Sequence, residues 1–155
     1  MNIKYALVDI FGENLFVAVS ANKVVYAAFV DEDKSLGQGG SYCVANQAMA
    51  LGVQQLNCFL DECISGVGGL EPDYEEVNGV FEQAISDVAR GNDKHIMFMG
   101  TEFQVKVWRS LLRIPYGCVA SYSEVAKNAG NRGGVRAVAS AIAKNRIAYL
   151  VPCHR

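Results

Sequence analysis

Cys153 and His154 stand side by side in the run Val151-Pro152-Cys153-His154-Arg155 of a 155-residue chain. A thiol beside an imidazole is the pattern of an activated nucleophile, because the thiolate does the chemistry and a neighbouring His can generate or stabilise it. The apolar run Ile147-Ala148-Tyr149-Leu150-Val151 and the proline that precede the pair would present it from a packed segment. The dipeptide alone does not separate a reacting thiol from a buried inert one, so its meaning rests on what positions it. The other cysteines are Cys43, Cys58, Cys63 and Cys118, an arrangement without CxxC spacing. It suggests no disulfide framework, no zinc ribbon or other metal site, and no dithiol redox pair. Free thiols point to a reducing compartment, and the expected location is the cytoplasm, or the nucleus in a eukaryote.

About half of the residues are apolar, enough for a chain of this length to bury a core. The apolar N-terminus is interrupted by Asp9 and Glu13, unlike a signal peptide, and no apolar run reaches membrane-spanning length. No membrane association is expected, and the protein is expected to be a monomer. Charge is divided unevenly. Residues 1–100 hold five Lys and Arg against fourteen Asp and Glu, whereas residues 101–155 hold nine against two. A basic segment this dense is an electrostatic footprint for phosphates, which an acidic companion would confine to one face; mutual attraction of the two halves is the blander alternative.

The expected fold class is α+β. Ile3 to Ile10, Leu15 to Ser20 and Val24 to Val30 are β-branched and aromatic runs separated by short turns, predicting an antiparallel meander. The acidic, Gly-rich stretch from Asp31 to Gly40 reads as a loop, and Cys43 to Ile64 as a helix that makes Cys58 and Cys63 core or near-core thiols. Gly66 to Pro72 reads as a loop, Val80 to Ala89 as part of a second helix ended by Gly91-Asn92, and Ile96 to Met99 as a strand or extended linker. The charge shift at Gly100 predicts a boundary, with a supporting α/β subdomain over 1–99 and a helical subdomain over 100–155.

That second part carries three helix signals. Thr101 to Gln104 and Ser121 to Glu124 are capping boxes. The first opens a stripe containing Phe103, Val107, Trp108 and Leu111, read as core; the second opens a short helix closed by Gly130. A tight connection through Asn131 to Gly134 leads to a helix from Val135 to about Lys144, giving a helix-turn-helix. Val135, Val138, Ala139 and Ile142 share a face expected to meet the core, leaving Arg136, Ser140 and Ala143 opposite. One long cation on a face of small residues suits close approach to a partner better than base reading in the major groove, which takes several long polar side chains.

Gly100 to Trp108, Ile114-Pro115-Tyr116-Gly117, Ser121-Tyr122, Val135 to Ala139, Asn145 and Pro152-Cys153-His154-Arg155 resemble, in order and spacing, the O6-alkylguanine-DNA alkyltransferases, also called methylated-DNA-protein-cysteine methyltransferases. The motif-rich likeness covers roughly the last 55 residues; the N-terminal part is similar in layout only. The resemblance implies a ribonuclease-H-like N-terminal sheet with helices and a winged-helix-like C-terminal helix-turn-helix. It implies DNA repair by direct reversal, in which an alkyl group leaves the O6 atom of guanine in double-stranded DNA for Cys153 in one irreversible turnover, without a cofactor. His154 would be the base acting through water. Asn145 would brace the helix-turn-helix against the active segment, and Tyr122 would crowd the 3′ phosphate and promote rotation of the nucleotide. Arg136 would enter the stack where the flipped base lay, from a minor-groove helix face of Ala137, Ser140 and Ala141. Tyr122 also reads as a packing aromatic and Asn145 as a helix C-cap. Lys127, Arg132, Lys144 and Arg146 are candidate phosphate contacts, while Cys118 and His95 read as structural or solvated.

Members of the family continue for some twenty residues past Pro-Cys-His-Arg, supplying a glutamate that orients the histidine, a guanine-binding loop with Gly and Tyr, and a final helix. This chain stops at Arg155. A fragment, a remainder supplied by another polypeptide and a naturally shortened homologue each fit that ending. Two further functions share the basic half: a binder of alkylated DNA, or helix-turn-helix regulator, that works without transfer, and an inactive homologue. Retention of Cys153 favours chemistry.

Overall fold

In the computed structural model, residues 1–30, 41–63, 68–130 and 134–153 are described. Three strands open the chain, β1 (Asn2–Ile10), β2 (Glu13–Ser20) and β3 (Lys23–Phe29), followed by α1 (Ser41–Cys63), β4 (Gly69–Pro72) and α2 (Tyr74–Ala89). Helices α3 (Glu102–Leu112), α4 (Tyr122–Asn128) and α5 (Val135–Ala143) complete it. The α+β class expected from the sequence is the one observed.

Both hairpins have two-residue turns. Phe11 and Gly12 in one, and Ala21 and Asn22 in the other, all take positive φ, the requirement of the turn whose twist matches paired strands. The sheet order is β3-β2-β1-β4. β1 with β2 and β2 with β3 are antiparallel, whereas β4 runs parallel to β1 and pairs Ile3 with Leu70. The sequence reading of residues 66–72 as loop is therefore corrected over 69–72. A four-residue strand containing Gly and Pro carries no alternation of its own, and the free edge of β1 supplies its order.

β2 is buried from Leu15 to Ser20 without a break, because both faces of the sheet are covered. Leu15, Val17 and Val19 meet one core with α2 and the C-terminal helices, while Phe16 and Ala18 meet a second core with α1. α1 lies close: a Cβ on Gly52 would stand 2.1 Å from the ring of Phe16, so only glycine fits there. Leu56, Phe59 and Leu60 face the sheet, which turns Cys58 outward. Cys58 is exposed, correcting the expectation of a core thiol; it lies 200° around the helix from Leu56 by the ideal repeat of about 100° per residue. The side chains of Cys43 and Cys63 lie outside the described residues.

α2 begins earlier than its apolar periodicity shows, because Asp73 caps it by accepting from the Glu76 N–H at 3.0 Å. Past α2, the chain returns twice to the outer edge of β3. Val24 bridges Ile96 and Ala27 bridges Ile147, both in parallel sense. The linker before α3 and the segment after α5 thus cover an edge that would otherwise expose unpaired backbone groups. His95 fixes the first return, its Nδ1 lying 2.6 Å from a carboxylate oxygen of Asp87 on α2. No helix among the described residues is long and apolar enough to cross a membrane.

Candidate functional site

Helices α4 and α5 are assembled on α3. The capping box at Thr101 and Gln104 is formed in both directions, and Trp108, buried as expected, donates its indole N–H to the carbonyl of Ala141 at 2.8 Å. That bond fixes the rotation of α5. Val138, Ala141 and Ile142 turn inward, and Arg136, Ala137, Ser140 and Ala143 lie exposed on the outside. Two expectations are corrected. Ala141, assigned from the sequence to the outer surface, is 3% exposed, because at i+3 from Val138 it shares the core-facing stripe. Val135, assigned to the core, is 37% exposed, since it opens the helix a turn before the first buried position.

α4 presents Tyr122. Ser121 and Glu124 form the second capping box: the Ser121 hydroxyl accepts from the Glu124 N–H at 3.3 Å, and the Glu124 carboxylate accepts from the Ser121 N–H at 2.7 Å. The backbone N–H of Ser121, and then its hydroxyl, hold the Glu124 carboxyl below its usual range. Tyr122 follows the cap with 45% of its surface exposed, so a fixed turn offers an accessible phenol. Residues 131–133, including Arg132, lie outside the described residues.

After α5 the chain makes a strap, residues 144–153, that owes little to regular structure. Ala27 donates to the Arg146 carbonyl and Ala148 to the Ala27 carbonyl, each at 2.8 Å, stitching the strap to β3. Asn145 organises its interior. Its Oδ1 accepts from the Ile147 N–H at 3.0 Å, and its Nδ2 donates to the Val151 carbonyl at 2.9 Å and lies 3.8 Å from Sγ of Cys153. Leu150 and Val151 are buried beneath it, and Cys153 packs half-buried against the main core. Thus Asn145 and Cys153, eight residues apart, are brought together. His154 and Arg155 lie outside the described residues.

Lys4, Lys106 and Arg109 are engaged by carboxylates, whereas Lys127, Arg136, Lys144 and Arg146 are exposed and make no ion pair among the described residues. Among the described residues Lys23, Arg90 and Lys94 of the N-terminal part likewise make no ion pair, so unpaired cations occur in both parts of the chain. Sequence reasoning missed Tyr149 and Phe81 as parts of the site's support. Tyr149 takes φ +68° and its ring lies 6.0 Å from that of Phe81 on α2. A tyrosine inside an apolar run carries no signal of positive φ, and a contact across 68 positions of sequence is invisible to local periodicity.

A half-buried thiol on a bonded strap thus follows a helix, α5, whose outer face is small apart from Arg136. Residues 102–155 match the family model described as 6-O-methylguanine DNA methyltransferase, DNA binding domain. The methylated-DNA–protein-cysteine methyltransferase of Mycobacterium leprae is 55% identical over 56 residues, which are 36% of this chain and 34% of that protein. The protein of the same name from Methanosarcina acetivorans is 42% identical over 82 residues, 53% of each chain. The aligned part of the chain thus spans about a third to a half of the length of these curated relatives. Among solved structures, Mycobacterium tuberculosis O6-methylguanine methyltransferase superposes with a TM-score of 0.64 at 25% identity, covering 99% of this chain and 77% of that one. Mycobacterium tuberculosis OGT in complex with DNA shares the fold, with a TM-score of 0.62 at 24% identity, covering 100% and 77%.

Proposed function

We propose that this chain repairs DNA by direct reversal, accepting a methyl or larger alkyl group from O6 of guanine onto Cys153. The observation that carries the reading is the Asn145 amide, which ties down the Val151 carbonyl and reaches Sγ of Cys153 within the segment that matches the DNA-binding domain of 6-O-methylguanine DNA methyltransferase. In the reaction, the Cys153 thiolate attacks the alkyl carbon. A thioether bond forms as the carbon–O6 bond breaks, and the guanine leaves with the electron pair and takes up a proton. His154 removes the thiol proton, and the thioether ends the turnover because nothing regenerates the thiol. No cofactor enters the balance. Sulfur suits this step better than a hydroxyl oxygen, because a polarisable thiolate displaces well at carbon.

The target atom lies inside the duplex, so the nucleotide must rotate out of the stack, at a cost on the order of a few kcal/mol that alkylation lowers by weakening pairing. Arg136 fills the vacated space, the exposed Ala137 and Ser140 let α5 sit close in the minor groove, and Tyr122 presses on the neighbouring phosphate. Lys127, Lys144 and Arg146 add contacts to the backbone that hold without reading sequence. The chain acts as a monomer, with residues 1–99 as support and 100–155 as the working part. The test is incubation with duplex DNA carrying labelled O6-methylguanine, followed by mass analysis of the Cys153 peptide. Stoichiometric label on Cys153 is expected, and its absence overturns the proposal. A chain that binds the alkylated duplex tightly without transfer is a damage binder instead.

A further inference from the structure

We infer that Tyr149 is a positioning residue for Cys153, acting through a strained turn that Phe81 of the sheet-packed helix α2 holds in place. The inference rests on Cys153 being the reacting group. Leu150 donates its N–H to the Ala148 carbonyl at 2.8 Å, a bond between residues two apart, and the residue between them, Tyr149, has φ +68°. Together these define the γ-turn of positive φ, the rare and strained form. A side chain with a Cβ resists this region of backbone space, and such outliers persist only where surrounding structure over-determines them.

The surroundings do so here. On the N-terminal side, Ala148 is bonded to the edge of β3, and on the C-terminal side Val151 donates to the Ile147 carbonyl at 3.1 Å while its own carbonyl is held by Asn145. Those bonds fix the two ends of the turn, and the aromatic contact fixes its centre. The Tyr149 ring lies 6.0 Å from the Phe81 ring at an interplanar angle of 40°, within the range in which aromatic pairs attract. Phe81 is itself 1% exposed and cannot give way. Turning the chain at Tyr149 redirects the four residues that end in Cys153, so a relaxed turn displaces the sulfur although every group that touches it is retained. An ångström of misplacement costs on the order of a hundredfold in a displacement reaction. The arrangement gives α2 a part in the chemistry that its distance in sequence conceals.

The test compares Tyr149→Phe, Tyr149→Asn and Tyr149→Val in the full chain. Phe keeps the ring contact, Asn tolerates positive φ but loses the ring, and Val loses the ring and opposes positive φ. Two rates are measured: methyl transfer at saturating O6-methylguanine duplex, and carboxamidomethylation of Cys153 by iodoacetamide without DNA, each followed on the Cys153 peptide and normalised to folded protein. Expected are parent-like rates for Phe, a fall of about threefold for Asn and of about tenfold or more for Val, with the duplex dissociation constant unchanged. Parent-like rates in both Asn and Val, or a Phe variant as slow as Val, overturn the inference. Should Val not fold, the comparison of Asn with Phe decides alone. A parent chain that transfers no methyl group sinks the proposed function, whereas the iodoacetamide ranking still judges the turn.

Discussion

The outer face of α5 and the strap that follows it are neighbours of similar length built on opposite plans. α5 is a regular helix whose rotation is set by Val138, Ala141 and Ile142 and pinned by the indole of Trp108; its outer residues then need only be small or basic. In the strap, successive backbone groups find different partners: the β3 edge, the Asn145 amide, and a γ-turn. The difference follows from the tasks proposed for them. Contact with a duplex is spread over a surface and tolerates local change, whereas one sulfur atom must occupy one position. Substitutions on the α5 face should therefore alter binding and leave stability intact, while substitutions in the strap should alter the rate and carry a stability cost.

The largest separation comes from Cys153→Ala, which should abolish methyl transfer and leave affinity for the alkylated duplex nearly unchanged, since the contacts proposed for the duplex lie on α4, α5 and the basic side chains rather than at the sulfur. Affinity lost together with transfer would break the division of labour. Next is Asn145→Ala. It leaves the Val151 carbonyl and the Ile147 N–H without their side-chain partner, at a cost of about 1–3 kcal/mol in chemical denaturation, with transfer slowed about tenfold to a hundredfold in the remaining folded protein. Unchanged stability would mean that the strap holds itself.

On the α5 face, Arg136→Ala should leave unfolding within about 0.5 kcal/mol of the parent. The slope of log affinity against log salt should become shallower by about one if the guanidinium neutralises a phosphate. An unchanged slope together with slower transfer marks Arg136 as acting within the base stack. Ser140→Leu, which adds bulk to the same exposed face, should weaken duplex binding about tenfold, equivalent to about 1.4 kcal/mol, at parental stability. Undiminished affinity would move the DNA contact off this face.

These two regions also differ in how much of them the sequence discloses. Capping boxes at Thr101 and Ser121 and the stripe from Phe103 to Leu111 are local patterns, and they locate α3 and α4 to within a residue. The phase of α5 is legible to the level of Val138 and Ile142, but Ala141 is misassigned because an alanine reads equally well as core or as small surface. Its place at i+3 from Val138 turns it inward, and Trp108, 33 positions away, bonds its carbonyl. In the strap, Asn145 and Cys153 are visible through their motif, whereas the γ-turn at Tyr149 is not. Its conformation is imposed by bonds to β3 and by Phe81, which no residue type in the run Ile147 to Val151 signals. β4 escapes notice for the same reason, since the edge of β1 and not its own composition makes it a strand.

The smallest effect concerns the two returns to the β3 edge, which are secured by different chemistry. The return at Ile96 is held through His95 and Asp87, and the return at Ile147 through the Asn145 amide. Donation from His95, foremost among its neighbours, holds the Asp87 carboxyl below its ordinary range, against the opposing effect of burial. A carboxyl depressed in the folded state stabilises that state above its unfolded pKa of about 3.9, and the contribution is lost as the pH falls through the lower folded value. Hydrogen exchange should therefore show the amide of Met97, which bonds the Val24 carbonyl, losing protection below about pH 4 ahead of the amide of Ala148, which bonds the Ala27 carbonyl. Asp87→Asn should make that difference independent of pH, with protection of Met97 already lowered at neutral pH. Simultaneous loss at both amides in the parent would mean that acid opens the edge as one unit, and that the strap carrying Cys153 depends on the ionisable pair after all.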